Sequence, residues 1–228
     1  MLYIVPTPIG NLKDITLRAL EVLRDVDLIL AEDTRVSGNL LRHYEISKSM
    51  LSYHDHNEHQ ILKNVIEKLK SGMNIALVTD AGTPLISDPG FLLVRECMKN
   101  EIQVIPLPGA SALTTALSAS GLPTDKFHFE GFLPHKKGRN KRWEFLQSYP
   151  GTLVFYESPH RLMKLLNEIQ SHLGEETLVT IAKEISKIYE EFKHNKINEL
   201  IAQFDDDAKL KGEYVVMAFK VNNEKQKL

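Results

Sequence analysis

The sequence predicts an α/β protein of two lobes, the first on a mainly parallel sheet and the second on a mixed one. Three observations predict it. Short β-rich runs alternate with amphipathic helical runs through the first half, the pattern of βαβ units whose helices cover both faces of a sheet. The segment SGLPTDKF, with Gly121 and Pro123, breaks that alternation. Beyond it the strands are short and lie close to turns, which suits a mixed sheet. The boundary is placed near Gly121, giving lobes of residues 1–120 and 121–228.

In order along the chain, Leu2–Val5 and Leu28–Ala31 are apolar and strand-length, and TLRALEVLRD between them sets Leu17, Leu20 and Leu23 on one helical face. A short helix is expected over Gly38–Tyr44, a strand over Met50–Tyr53, and a helix over ILKNVIEKLKSG that Gly72 closes. NIALVTD reads as a strand, FLLVRECMKN as a helix, EIQVIPL as a strand and SALTTALSA as a helix. In the second lobe FHFEGF precedes a basic loop, then helix KRWEFLQSY, strand TLVFYE, helix HRLMKLLNEIQSHL and strand TLVTIAKE. YEEFKHN, helix INELIAQF and strand EYVVMAF follow, and the last residues, NNEKQKL, are expected to fray.

Composition bounds the function. A 43% apolar and 25% charged chain is that of an ordinary globular protein. No apolar run approaches the roughly 20 residues that span a bilayer, and MLYIVPTPIG lacks the basic and apolar regions of a signal peptide. A cytoplasmic protein without a membrane segment is expected. One cysteine, Cys97, excludes an internal disulfide framework and a cysteine-rich metal site; in its helix it reads as a small core residue. The net charge of -2 decides nothing about polyanions, but HKKGRNKR, residues 135–142, holds five Lys or Arg and no acid. Electrostatic contact with nucleic acid would then be local, through one loop.

Three turns follow strand ends in the first lobe: Pro6–Leu12, Thr79–Gly90 and Pro106–Leu117. Open α/β sheets bind ligands at that edge, and Gly and Pro let the backbone approach a ligand closely. Each turn alone also fits a plain tight connection. Ser111 suits an N-cap, and Asp80 and Asp88 put two carboxylates around one loop. G-x-G-x-x-G and G-x-x-x-x-G-K-[ST] are both absent, so neither a dinucleotide fingerprint nor a P-loop is supported. The residues alone give a small-molecule pocket and leave its ligand unnamed.

PTPIGNLKDITLRALEVL, AEDTR, SYHDHNE, LVTDAGTPLISDPG, PLPGASALTTALSASGLPTD, FEGFLPHKKGRNKR and FYESPHRL occur in this order, from Met1 to about Phe219. Together they resemble the ribosomal-RNA branch of the tetrapyrrole methylase superfamily, whose members 2′-O-methylate a cytidine ribose of small-subunit RNA. The resemblance implies a two-lobed homodimer with S-adenosylmethionine in the cleft between lobes and small ribosomal subunit RNA as partner. Carried over by motif, it implies that Ile9 of the first loop, Asp80, Ala81, Gly82 and Ile86 of the second, and Ser111 and Ala112 of the third contact the cofactor. From the second lobe it implies Phe132, Glu157 and Ala182. Tetrapyrrole-methylating relatives carry a Gly-Pro-Gly-Asp turn in the first loop and Gly-Gly-Asp-Pro in the second. Here those positions read PIGN and AGTP, which fits the ribosomal RNA branch.

Methyl transfer to a ribose hydroxyl calls for in-line placement and for help in removing a proton. Asp33 and Lys183 are the candidates for that help, Asp33 after a strand beside Arg35 and Lys183 beside Glu184; each pair also fits a plain salt bridge. His54 and His56 share one face if their strand continues, but no further ligands at metal spacing accompany them, and no metal is expected. His54 is a candidate base or RNA contact and fits an ordinary surface histidine as well. The RNA-contact candidates are Arg35, His54, Lys136, Lys137, Arg139, Lys141, Arg142 and Arg161, suited to phosphates that set affinity rather than sequence choice. Trp143, at the start of a helix, reads as core.

Overall fold

The computed structural model describes residues 1–205 and 210–221; the expected frayed end, 222–228, lies outside them. Two compact units divide the chain, Met1–Ser111 and Ala112–Leu228.

The first unit runs β1 (Leu2–Ile4), a 3-10 turn Leu12–Asp14, α1 (Leu17–Asp25), β2 (Leu28–Ala31), α2 (Thr34–His43), β3 (Met50–Ser52), α3 (Glu58–Lys70), β4 (Ile75–Val78), α4 (Phe91–Lys99) and β5 (Val104–Pro106). The sheet order is β3-β2-β4-β1-β5, and every pairing is parallel. Alternation along each strand sorts its apolar residues between two cores. Leu2, Ile4, Leu30 and Leu77 pack with Val65 and Leu69 of α3 and Leu93 and Cys97 of α4. Val5, Ile29, Ala31 and Val78 pack with Leu20 and Leu23 of α1 and Leu41 of α2. A sheet buried on both faces explains strands that read as unbroken apolar runs. α2 begins four residues ahead of the expected Gly38, because the Asp33 side chain accepts from Arg35 N at 2.8 Å and caps it there.

The second unit runs α5 (Ala112–Ser118), β6 (Phe127–Gly131), α6 (Arg139–Leu146), β7 (Thr152–Glu157), α7 (Pro159–Leu173), β8 (Leu178–Lys183), β9 (Glu191–Lys196), α8 (Ile197–Asp205) and β10 (Tyr214–Phe219). Its order is β6-β7-β10-β8-β9. β6 pairs with β7 in parallel and the other pairings are antiparallel, a mixed sheet. α5, which the sequence groups with the first lobe, packs against β10, and Thr180 Oγ1 donates to Ser120 O at 2.7 Å just beyond it. One face of this sheet, with Leu153, Phe155, Val179, Ile181 and Val216, meets Leu162, Leu166 and Ile169 of α7 and Leu200 and Phe204 of α8.

α6 starts two residues ahead of the expected KRWEFLQSY, at Arg139. Arg139, Trp143 and Leu146, spaced i, i+4 and i+7, are its buried residues. Only 4% of the Arg139 side chain is exposed. Its guanidinium donates to Glu168 through Nε at 2.8 Å and through Nη2, and Trp143 Nε1 donates to the same carboxylate at 3.2 Å. His172 stacks on the Trp143 ring at 4.9 Å. Trp143 is therefore core, as its helical position predicts.

Among the described residues no helix is long and apolar enough to cross a membrane. Removing one partner of a buried ion pair leaves the other charge uncompensated. Arg139→Ala is accordingly expected to lower unfolding free energy by about 3 kcal/mol, measured by urea denaturation; a loss below about 1 kcal/mol would mean that Glu168 finds another partner.

Candidate active site

Parallel strands send all their carboxyl ends to one edge. At that edge of the first unit three loops leave β1, β4 and β5, and hydrogen bonds join them. Thr7 N donates to Gly82 O at 2.8 Å and Gly82 N returns a bond to Thr7 O at 3.0 Å. Thr7 Oγ1 donates to Thr79 O at 3.0 Å, and Thr83 Oγ1 donates to Ala110 O at 3.0 Å. Gly82 has φ +91 and would set a Cβ 3.5 Å from Ile9 Cγ2, so the first loop packs directly on the second. Gly109 crosses over Pro6 so closely that a Cβ would come within 2.7 Å. Leu85 and Ser87 also hold left-handed backbone, φ 74 and 67, at a cost of order 1 kcal/mol each. The outcome is a fixed turn that buries Ile9 and Gly82 while leaving Asp80, Ala81 and Ile86 exposed. Ser111 ends this unit and Ala112 opens α5 of the next.

Carboxylates line the same edge. Glu32 Oε2, just after β2, accepts from Thr79 Oγ1 at 2.6 Å, and Asp80 Oδ1 accepts from Asp33 N at 3.1 Å. The Arg35 guanidinium hydrogen-bonds Asp33 through Nε and Nη2 and holds its carboxyl at about 2, which leaves Asp33 a poor proton acceptor. Although Asp80 is exposed, partial desolvation of its carboxyl, followed by the Glu32 and Asp33 charges, pushes it above its ordinary value. Burial, reinforced by the Glu32 charge and against the pull of a Thr79 hydrogen bond, pushes Asp88 up to about 7. His54 follows β3 at this edge; its backbone N–H donates to Asn57 Oδ1 at 2.9 Å, its ring meets His56 edge-on at 5.9 Å, and its Nδ1 is buried without a hydrogen-bond partner. Among the described residues no group of three His, Cys, Asp or Glu is placed to hold a metal.

In the second unit the candidates collect at the carboxyl ends of β6, β7 and β8. Phe132 is 53% exposed and meets Tyr156 edge-on at 5.8 Å. Glu157 is buried; its Oε1 accepts from Ser158 N at 2.8 Å and pairs with Arg161 at 2.7 Å. Ala182 is buried in β8. Lys183 stands opposite Tyr214 and Glu191 in register. Glu184, its expected partner, is engaged instead by Lys187 Nζ and Glu213 N, both at 2.9 Å. The basic cluster divides in two. Lys136, Lys137 and Lys141 are exposed, whereas Arg139 is bound to Glu168, Arg142 to Glu130 and Arg161 to Glu157. Arg35, in the first unit, is exposed but bound to Asp33.

Thr7, Thr79 and Thr83, which join the loops, were not singled out by the sequence, whereas Glu32, the acidic partner of Thr79, stands in the AEDTR motif. The one local signal of these threonines is a place soon after a strand end, three residues past β1 for Thr7, one past β4 for Thr79 and five past β4 for Thr83. The burial of Arg139 had a plainer one, its i, i+4, i+7 spacing to Trp143 and Leu146.

Comparison with known proteins gives a consistent result. The family profile described as Tetrapyrrole (Corrin/Porphyrin) Methylases matches residues 1–201. A protein of Escherichia coli O157:H7 named ribosomal RNA small subunit methyltransferase I is 53% identical over 218 residues, covering 95% of this chain and 76% of the relative. One of the same name from Thermotoga maritima is 47% identical over 216 residues, covering 95% and 96%. Among solved structures, the methyltransferase CobJ aligns with a TM-score of 0.70 at 15% identity, over 96% of this chain and 94% of that one. Uroporphyrin-III C-methyltransferase from Thermus thermophilus, complexed with S-adenosylhomocysteine, aligns with a TM-score of 0.65 at 18% identity, over 96% and 97%. At such identities the likeness is one of fold.

The raised Asp88 carboxyl has a signed consequence. The folded state keeps this proton up to about 7, while the unfolded chain releases it near 3.8, so Asp88 subtracts from stability as pH rises through that window. Asp88→Asn removes the titration, and its melting temperature relative to the unmutated protein is expected to climb between pH 4 and pH 7.5. A difference that stays constant across that range would show that Asp88 titrates normally.

Proposed function

The chain belongs to the tetrapyrrole (corrin/porphyrin) methylase family, and from that premise we propose that it transfers a methyl group from S-adenosylmethionine to a cytidine 2′-hydroxyl of small-subunit ribosomal RNA. The observation that carries the reading is the set of three joined loops at the carboxyl edge of the parallel sheet. The residues present fit the cofactor. The exposed Asp80, Ala81 and Ile86 stand on a turn pinned by Thr7 and Gly82, and the carboxylates of Glu32 and Asp80 favour a cation nearby. The sulfonium supplies a methyl group already activated for transfer. The chain's task is then placement, and a rigid edge serves placement better than a mobile loop.

Relatives named for ribosomal RNA, at 47–53% identity over 95% of the chain, support the acceptor, as do the PIGN and AGTP turns and the exposed Lys136, Lys137 and Lys141. A cytoplasmic homodimer belongs to the same reading. Phe91 and Met98, exposed one above the other on α4, and Ile188 and Tyr189 on the β8–β9 turn offer apolar surface for it. Sedimentation equilibrium is expected to give twice the chain mass, and a chain-mass species at micromolar concentration would remove the dimer.

The direct test supplies radiolabelled S-adenosylmethionine with three acceptors: small ribosomal subunits lacking the modification, naked RNA, and a precorrin. Label is expected in the subunit RNA and absent when the acceptor is already 2′-O-methylated; label in the precorrin would overturn the RNA reading. Gly82→Ala forces a side chain into a left-handed turn at about 1–2 kcal/mol, so cofactor dissociation should rise about tenfold by calorimetry. Unchanged affinity would detach this turn from the cofactor.

A further inference from the structure

The segment from Phe132 to Gly138 lies between β6 and α6 without regular secondary structure, the kind of loop that ordinarily samples many conformations. This one is fastened carbonyl by carbonyl. Arg161 Nη1 donates to Leu133 O at 3.2 Å. Arg139 Nη1 donates to Pro134 O at 2.8 Å and lies 3.4 Å from Leu133 O. Lys164 Nζ reaches His135 O at 3.5 Å. Each cation has a carboxylate behind it: Glu157 for Arg161 at 2.7 Å, and Glu168 for Arg139 and, at 4.0 Å, for Lys164. Glu157 itself is fully buried and is fixed further by Ser158 N. Three consecutive carbonyls are thus gripped from two helices.

The same arrangement separates cations that face solvent from cations that face the backbone. Side chains of Arg139 and Arg161 are 4% and 18% exposed, while Lys136 and Lys137 stand exposed with no ion pair among the described residues. We propose that Phe132–Gly138 is a preorganised RNA-binding arm in which Lys136 and Lys137 meet phosphate, and that Arg161, seated on Glu157, is a positioning residue that holds the Leu133 carbonyl rather than a phosphate contact. The proposal rests on the RNA reading above. An arm already ordered binds without the entropy cost of fixing its backbone, so loosening it weakens binding without removing a phosphate contact.

Salt dependence tells the two roles apart, because each phosphate contact contributes about 0.7 to 0.9 to the slope of log affinity against log salt. The measurement uses purified small ribosomal subunits lacking the modification, with melting curves to confirm folding of each variant. Arg161→Gln should weaken binding about tenfold, near the worth of one charge-assisted hydrogen bond, leave the slope unchanged, and speed tryptic cutting after Lys136 and Lys137. Glu157→Gln keeps the arginine and should weaken binding in the same direction. The double variant Lys136→Gln, Lys137→Gln should reduce the slope by about 1.4 to 1.8. A slope reduced by about one in Arg161→Gln, or tighter binding in Glu157→Gln, would make Arg161 a phosphate contact and overturn the positioning role. Unchanged binding in the lysine double variant would overturn the arm itself. Methyl transfer to the same subunits by the unmutated enzyme separates that outcome from failure of the RNA reading: continued transfer condemns only the arm, and no transfer condemns the reading beneath it.

Discussion

The paired backbone bonds between Thr7 and Gly82 are the constraint on which the first unit's site depends. Without them the loops after β1 and β4 would lose their backbone pairing and keep the side-chain bond from Thr7 Oγ1 to Thr79 O. With them, a chain of contacts crosses the edge of the sheet. It runs from Arg35 and Asp33 to Asp80, from Glu32 to Thr79, from Thr79 to Thr7, and from Thr83 to Ala110. Most of these bonds involve a backbone atom, so they fix where the loops lie and leave side chains such as Ile86 outward. The parallel sheet makes this possible, since only parallel strands deliver four loop starts to one edge.

The second unit solves a similar problem with the opposite charge. Carboxylates of the first unit's edge are partly desolvated and mutually repelling, which is why Asp88 keeps its proton to about 7 and why a cationic ligand suits them. In the second unit, the buried Glu157 and the half-buried Glu168 neutralise arginines that then grip backbone carbonyls. The charge left over is positive, on lysines at the surface. One unit carries an edge lined by carboxylates and the other a loop that turns lysines to solvent.

Much of the fold was legible in the sequence. Alternating strands and helices predicted a parallel first sheet and a mixed second one, and the apolar strand runs fell where expected because apolar patterning is a local property. β9, the polar run EFKHNK, carries no such signal and is not assigned from the sequence. Helix starts were less legible. α2 begins at Thr34 because Asp33 caps it, a competition between side chain and backbone that apolar spacing does not register. The grouping of α5 with the second unit depends on its packing against β10, about 100 residues away in sequence. In the site, glycine and proline marked the loops, but the threonines that join them were invisible, since their partners lie 27 to 72 residues away. The basic run was visible as charge. Its division into lysines facing water and arginines bound to acids was not, because the acids that capture Arg139 and Arg142, Glu168 and Glu130, lie 29 and 12 residues away, and only the helical spacing of Arg139 to Trp143 pointed inward. The cofactor itself was named by the resemblance, not by the turns.

Amide hydrogen exchange with and without S-adenosylmethionine tests the central claim most directly. If the joined loops form the cofactor site, protection should concentrate at residues 6–12, 79–90 and 106–111, with the Thr7 and Gly82 amides slow already in the free protein. Cofactor-dependent protection that leaves all three loops unchanged would contradict it.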